Sequence, residues 1–190
     1  TNRFEDVSAA PGMVTAEPAD AETTVDLGGL TPRIPILVAA MDAVVDVRPA
    51  AELSRLGGLA VLNLEGVQVR YDEPAAVLER IASVPDDEVH AALAAAYEQP
   101  VREELVARRM AELRAAGAGE AVAAKPAAAR RFGPFCAEHG ADLFLVQSQV
   151  SSARHLARGY DPLELAYFTR FVPVPVAVGN STSLDAAYQL

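Results

Sequence analysis

Five short apolar runs, each followed by a helix-like stretch and each turning polar at its C-terminal end, constrain this chain more than any other feature. The first begins at Ile34-Pro35-Ile36-Leu37-Val38 and is too brief for a helix, so it reads as a fully buried strand ending in a loop at Met41-Asp42. Pro49 suits a first helical turn, and Ala50, Leu53 and Leu56 supply an apolar stripe up to Gly57-Gly58. Leu59 to Glu65 makes a second buried strand. Asp72 and Pro74 then open a helix with Val77, Leu78 and Ile81 on its core face and Pro85 as its stop.

The spacing predicts two further helices, Asp86 to Tyr97 and Pro100 to Ala116. The second carries Val106, Met110 and Leu113 on one face, and Glu104 stands four residues before Arg108. A third strand, Glu120 to Lys125, precedes a helix that opens at Pro126, turns Phe132, Phe135 and Cys136 to the core and closes at Gly140. The fourth strand, Asp142 to Gln147, runs into the polar loop Ser148 to Ser152 and a short helix to Arg158. Asp161-Pro162 starts another helix, and Pro173 to Val178 forms a fifth strand ending at Gly179-Asn180, before a last helix capped by Ser181, Thr182 or Ser183.

Strands that are apolar throughout, alternating with helices, describe a parallel sheet covered by helices. Doubly wound sheets and (β/α)8 TIM barrels both satisfy that pattern. The polar residues decide between them: Met41-Asp42, Asn63 to Glu65, Lys125, Gln147-Ser148 and Gly179-Asn180 all lie at strand C-terminal ends, which in a barrel converge on one face. Residues 1–31 read as an irregular lead-in with a short strand around Val25–Leu27, and residues 32–190 as a partial barrel of five strand-helix units, about three short of closure. The start at Thr1 and the stop at Leu190 inside a periodic helix suit a piece of a longer protein.

A net charge of -10 speaks against a nucleic-acid partner, which requires a basic surface. No apolar run reaches the roughly 20 residues of a membrane-spanning helix. With no signal-peptide layout at the N-terminus and one unpaired cysteine, a soluble cytoplasmic protein is expected, with no membrane partner.

The stretch Ile34 to Val45 resembles the first barrel strand and loop of the IMP dehydrogenase/GMP reductase family. Further segments follow in family order: Phe4-Glu5-Asp6-Val7 with Pro11-Gly12, Leu56 to Gly66, Gly140 to Gln147, and Val176 to Asn180. Asn63-Leu64-Glu65-Gly66 with Arg70-Tyr71 is most similar to the dehydrogenase-related paralogues that lack CBS domains. The interval Val84 to Gly119, where the dehydrogenases carry a CBS pair, is too short to hold one.

The resemblance implies a purine-nucleotide oxidoreductase: NAD-dependent oxidation of IMP to XMP, or NADPH-dependent reduction of GMP to IMP, in a homo-oligomer, commonly a tetramer. It implies substrate contacts from Met41, Asp42, Gly179 and Asn180, with Met41 packing on the purine, and cofactor contacts from Gln147 and Ser148. Gln147 stands where the dehydrogenases usually carry Asp, and Ala39 where the family often has Ser. The bland alternatives are a core Met41, a loop-capping Gln147 and a plain turn at Gly179-Asn180. The family's nucleophilic cysteine falls in a loop after strand six, beyond Leu190, so no catalytic residue is expected here. Cys136, on an apolar helix face, reads as a buried structural thiol. Glu65 reads as a structural carboxylate rather than a site group, Lys125 as a solvated loop lysine, and His90, His139 and His155 as surface residues with no metal-ligand pattern. Two other readings compete: an FMN-dependent barrel of the nitronate monooxygenase type, sharing the proline-led first strand and Met loop, and a non-catalytic nucleotide-binding paralogue, suggested by Ala39 and Gln147.

Overall fold

The computed structural model describes Ser8, Ala10 and residues 12–156, 158, 159 and 161–190; the Phe4-Glu5-Asp6-Val7 segment and Pro11 lie outside the described residues. Five strands, β1 (Leu37–Val38), β2 (Leu59–Asn63), β3 (Ala121–Ala124), β4 (Leu143–Gln147) and β5 (Val176–Gly179), form one sheet in chain order, every neighbouring pair parallel. A doubly wound sheet reverses its strand order at a switch point, and this one does not. The sheet is a curled half-barrel with helices on its outside, part of a (β/α)8 TIM barrel.

Strand period decides which side each residue serves. Ala60 and Leu62 of β2, Val122 of β3 and Phe144 and Val146 of β4 pack outward against the buried Val106, Met110, Phe132, Cys136 and Phe168 of the helices. The alternate residues Leu59, Val61, Ala121, Ala123 and Leu143 pack on the inner side, with Leu27 and Leu30 of the lead-in against them. Burial on both faces is the physical reason these strands are apolar at every position.

β1 departs from the expected fully buried strand. It is paired over two residues, and Ile36 and Leu37 are 51% and 44% exposed. It stands at the end of the strand order, so only β2 covers it. The lead-in also differs: Val25 to Leu27 joins no sheet. The Val25 and Leu27 amides donate to the Pro32 and Leu30 carbonyls at 3.1 and 2.9 Å, and the reversal between them uses Gly28 and Gly29 at φ 80° and 114°.

The helices are α1 (Val47–Leu56), α2 (Pro74–Ser83), α3 (Val89–Glu98), α4 (Glu103–Ala115), α5 (Pro126–Glu138), α6 (Leu165–Phe171) and α7 (Leu184–Gln189). Asp46 caps α1 by accepting from the Arg48 amide, and Gly57 ends it at φ 104°. Of the expected core stripe of α1, Ala50 is buried and Leu53 packs beside it with Ala51, but Leu56 is exposed. Ser183 caps α7 as expected. α4 buries Val106, Met110 and Leu113 as its pattern predicts. Its expected Glu104–Arg108 pair does not form, because Arg102 takes Glu104 while Arg108 turns to Glu112 and Asp72. The short helix predicted after Ser152 is absent among the described residues, and α6 starts at Leu165 rather than Asp161, whose carboxylate is held by Arg130. No helix among the described residues is long and apolar enough to cross a membrane.

Candidate functional site

A cleft of about 910 Å³ opens at the C-terminal ends of the strands. All five contribute: Ala40 follows β1, Asn63 ends β2, Lys125 follows β3, Gln147 ends β4 and Asn180 follows β5. This is the face on which barrels assemble their sites, because parallel strands deliver all their C-terminal loops to one side. Of the six expected site residues, Gln147, Ser148 and Asn180 line the cleft, whereas Met41, Asp42 and Gly179 are not among its wall residues.

The β4 and β5 ends are tied together. The Ser148 amide donates to the Gly179 carbonyl at 2.8 Å, and the Asn180 amide returns a bond to the Ser148 carbonyl at 3.0 Å. The Ser151 hydroxyl donates to the Gly179 carbonyl at 2.8 Å and lies 2.9 Å from the Ser148 hydroxyl. These hydroxyl bonds hold the polar loop after β4, expected from the sequence, against β5. The side-chain amides of Gln147 and Asn180 make no hydrogen bond with the protein among the described residues. Both residues line the cleft.

Asp42 is placed differently. Its Oδ1 accepts from Asn63 Nδ2 at 2.9 Å, and its Oδ2 from the Val67 amide at 2.8 Å and from the Tyr97 hydroxyl. The carboxylate therefore joins the β1 loop to the loop after β2 and to α3. Gly66 leaves room for it, since a Cβ there would lie 1.8 Å from Asp42 Oδ1. Burial, and then the bond to Asp42, push the Tyr97 phenol well above its usual range. Met41, next to this hub, is 54% exposed, so it is not a core residue.

Glu65 is structural as expected: its carboxylate accepts from the Lys125 amide at 2.6 Å, linking the ends of β2 and β3. Three residues that the sequence did not single out as functional shape this side of the cleft. Arg70 donates from Nε to the Glu65 carbonyl at 3.0 Å and from Nη1 to the carbonyls of Tyr97 and Gln99, with its guanidinium 5.4 Å from the Tyr97 ring centre. Tyr97 lines the cleft from α3. Arg109, buried on α4, donates to the carbonyls of Gln68, Tyr71 and Asp72 and pairs with Glu112, fixing the chain between β2 and α2. Arg109 stands four residues before Leu113 on the face that α4 turns inward. That placement was the one sign that its charge needed internal partners.

Cys136 is buried, and burial pushes its thiol up to about 12, so it stays protonated and unreactive. His90 is exposed. His139 is half-buried rather than a surface residue; its Nδ1 lies 2.8 Å from the Phe135 carbonyl, and its ring stacks on Phe135 at 4.1 Å. His155 lines the cleft. Among the described residues no three His, Cys, Asp or Glu side chains gather as a metal site would require.

A cleft of this volume suits a nucleotide or dinucleotide, and the unbonded amides of Gln147 and Asn180 can bond ribose hydroxyls or a base edge. Residues 1–189 match the family described as the IMP dehydrogenase / GMP reductase domain. An uncharacterized oxidoreductase from Mycobacterium leprae is 32% identical over 185 residues, covering 95% of this chain and 49% of that protein. The inosine-5'-monophosphate dehydrogenase of Methanocaldococcus jannaschii is 36% identical over 99 residues, covering 47% of this chain and 20% of that protein. The crystal structure of an IMP dehydrogenase/GMP reductase-like protein from Corynebacterium glutamicum superposes with a TM-score of 0.87 at 24% identity, over 97% of this chain and 50% of that one. The chain thus spans about half the length of the mycobacterial relatives it matches.

Proposed function

Because this chain belongs to the IMP dehydrogenase / GMP reductase domain family, we propose that the protein is a purine-nucleotide oxidoreductase. It either oxidises IMP to XMP with NAD and water or reduces GMP to IMP with NADPH and release of ammonia. The observation that carries this reading is the strand-end cleft, in which the Gln147 and Asn180 amides line a ligand-sized space with no hydrogen-bond partner among the described residues.

In this reading the exposed Met41 side chain packs on the purine. Asn180 bonds the base edge, and Gly179 lets the β5 backbone come close to it. Asp42 acts at one remove, holding the Met41 loop in place through Asn63, Val67 and Tyr97. Gln147 and Ser148 bond the ribose of the cofactor, and the neutral amide of Gln147 does so without the charge that the dehydrogenases usually bring there. A nicotinamide group bound there would supply the hydride chemistry at purine C2. The covalent step needs a cysteine thiolate, which the family pattern puts beyond Leu190; the protonated, buried Cys136 does not serve. The homo-oligomeric assembly and the cytoplasmic location are part of the same proposal.

The test is to incubate the full-length protein with IMP and NAD, or with GMP and NADPH, and follow the reduced nicotinamide by absorbance while identifying the purine product by mass spectrometry. XMP or IMP formation supports the proposal. A protein purified with bound flavin would replace it with the FMN-dependent reading, and nucleotide binding without turnover would replace it with a non-catalytic one.

A further inference from the structure

The chain carries a net charge of -10, and its cations are arginines apart from a single lysine, Lys125. Many of those arginines are paired with carboxylates, as in Arg102–Asp72, Arg114–Glu120, Arg130–Asp161 and Arg131–Glu103. Two cations of the cleft wall are not. Among the described residues, Arg70 and Lys125 have no carboxylate partner. Arg70 is held in place by the backbone carbonyls of Glu65, Tyr97 and Gln99, which fix the guanidinium without neutralising it. Glu65, the one carboxylate of the wall among the described residues, accepts from the Lys125 amide. An acidic molecule therefore turns two unpaired cations and one carboxylate toward the same cleft.

We propose that Arg70 and Lys125 form a subsite for a phosphoryl group. Arg70 supplies a fixed positive charge and the two N–H donors of Nη2, its Nε and Nη1 being held by backbone carbonyls, and Lys125 a mobile point charge that follows the ligand. Resting on the oxidoreductase reading, the register assigns this subsite to the pyrophosphate of the dinucleotide rather than to the 5'-phosphate of the purine nucleotide. Ala124 of β3 pairs with Val146 of β4, so Lys125 comes next to Gln147, the residue that reading gives to the cofactor. The loops that carry Met41 and Asn180 follow β1 and β5, each two strands away from β3.

The experiment measures dissociation constants on the full-length protein for NADH and NADPH by fluorescence and for IMP and GMP by calorimetry. It compares wild type, Lys125→Ala and Lys125→Arg, with inorganic pyrophosphate as a competing probe. The Lys125 side chain is exposed and makes no hydrogen bond or ion pair among the described residues, so both variants should fold as wild type. Lys125→Ala should weaken both dinucleotides by about tenfold, the loss expected of one charge-assisted contact to phosphate. Lys125→Arg should restore most of that affinity, IMP and GMP should stay within about twofold, and pyrophosphate should compete less well against the Ala variant. Unchanged dinucleotide affinity in Lys125→Ala overturns the subsite while leaving the oxidoreductase reading intact. A loss confined to IMP and GMP overturns the cofactor assignment. Wild-type protein that binds neither dinucleotide overturns the oxidoreductase reading, and this inference with it.

Discussion

Replacing Asp42 by Ala should cost about 3 kcal/mol of stability, and most of that comes from one donor. Asp42 accepts from the Val67 amide, from Asn63 Nδ2 and from the Tyr97 hydroxyl, and Val67 is 0% exposed. Without the carboxylate, the buried Val67 amide loses the partner it has in the fold, a penalty of about 1–3 kcal/mol. Asn63 and Tyr97 line the cleft and regain water, so each adds about 0.5 kcal/mol. In urea, with a slope of about 3 kcal/mol per molar, the midpoint should fall by about 1 M with the slope unchanged.

Gly66 provides the internal control. Its φ of -88° suits any residue, so Gly66→Ala acts only through its Cβ, which would lie 1.8 Å from Asp42 Oδ1 and 2.3 Å from Asp42 Cγ. That substitution should expel the carboxylate from its donors and lose a similar 2–3 kcal/mol, roughly what Asp42→Ala loses. In the Asp42→Ala background the clashing atoms are gone, and Gly66→Ala should be neutral to within about 0.5 kcal/mol. Equal losses from Gly66→Ala in both backgrounds, or an Asp42→Ala midpoint within about 0.2 M of wild type, would refute the hub.

The Tyr97 phenol is raised in the fold, so the stability from its bond to Asp42 is fully present below the unfolded value near 10 and is lost as pH rises through the higher folded value. Tyr97→Phe should therefore cost about 1 kcal/mol at pH 7, and wild type should lose stability more steeply than the variant above about pH 10 in parallel denaturation series. Burial pushes the Cys136 thiol up to about 12, so peptide mapping after iodoacetamide treatment at about pH 8 should find Cys136 unmodified in native protein and fully alkylated in denaturant. Alkylation in the native protein would show that the helix face carrying Cys136 opens.

What the sequence determined by itself is the succession of elements and the face on which the site lies. Strands buried on both sides must be apolar at every position, so β2, β3 and β4 announce themselves, and the half-buried β5 follows the same apolar pattern; the polar residues at their ends mark the mouth. Gln147, Ser148 and Asn180 were legible as cleft residues for that reason, and Cys136 as a buried thiol from its apolar helix face. β1 was read as buried because its composition matches the others; its exposure follows from strand order, which no single segment encodes. The loop after β4 is legible as polar, but its anchor to β5 is not, because the Ser151–Gly179 bond joins residues 28 positions apart.

The opening loop changed most. Asp42 stood beside Met41 as a ligand contact, and the tertiary structure made it the acceptor for Asn63, Val67 and Tyr97, the last of them 55 residues on. A carboxylate beside a cleft looks the same in sequence whether its partners are substrate or protein. Only the fold, by bringing α3 and the loop after β2 against the β1 loop, shows the protein partners that Asp42 has.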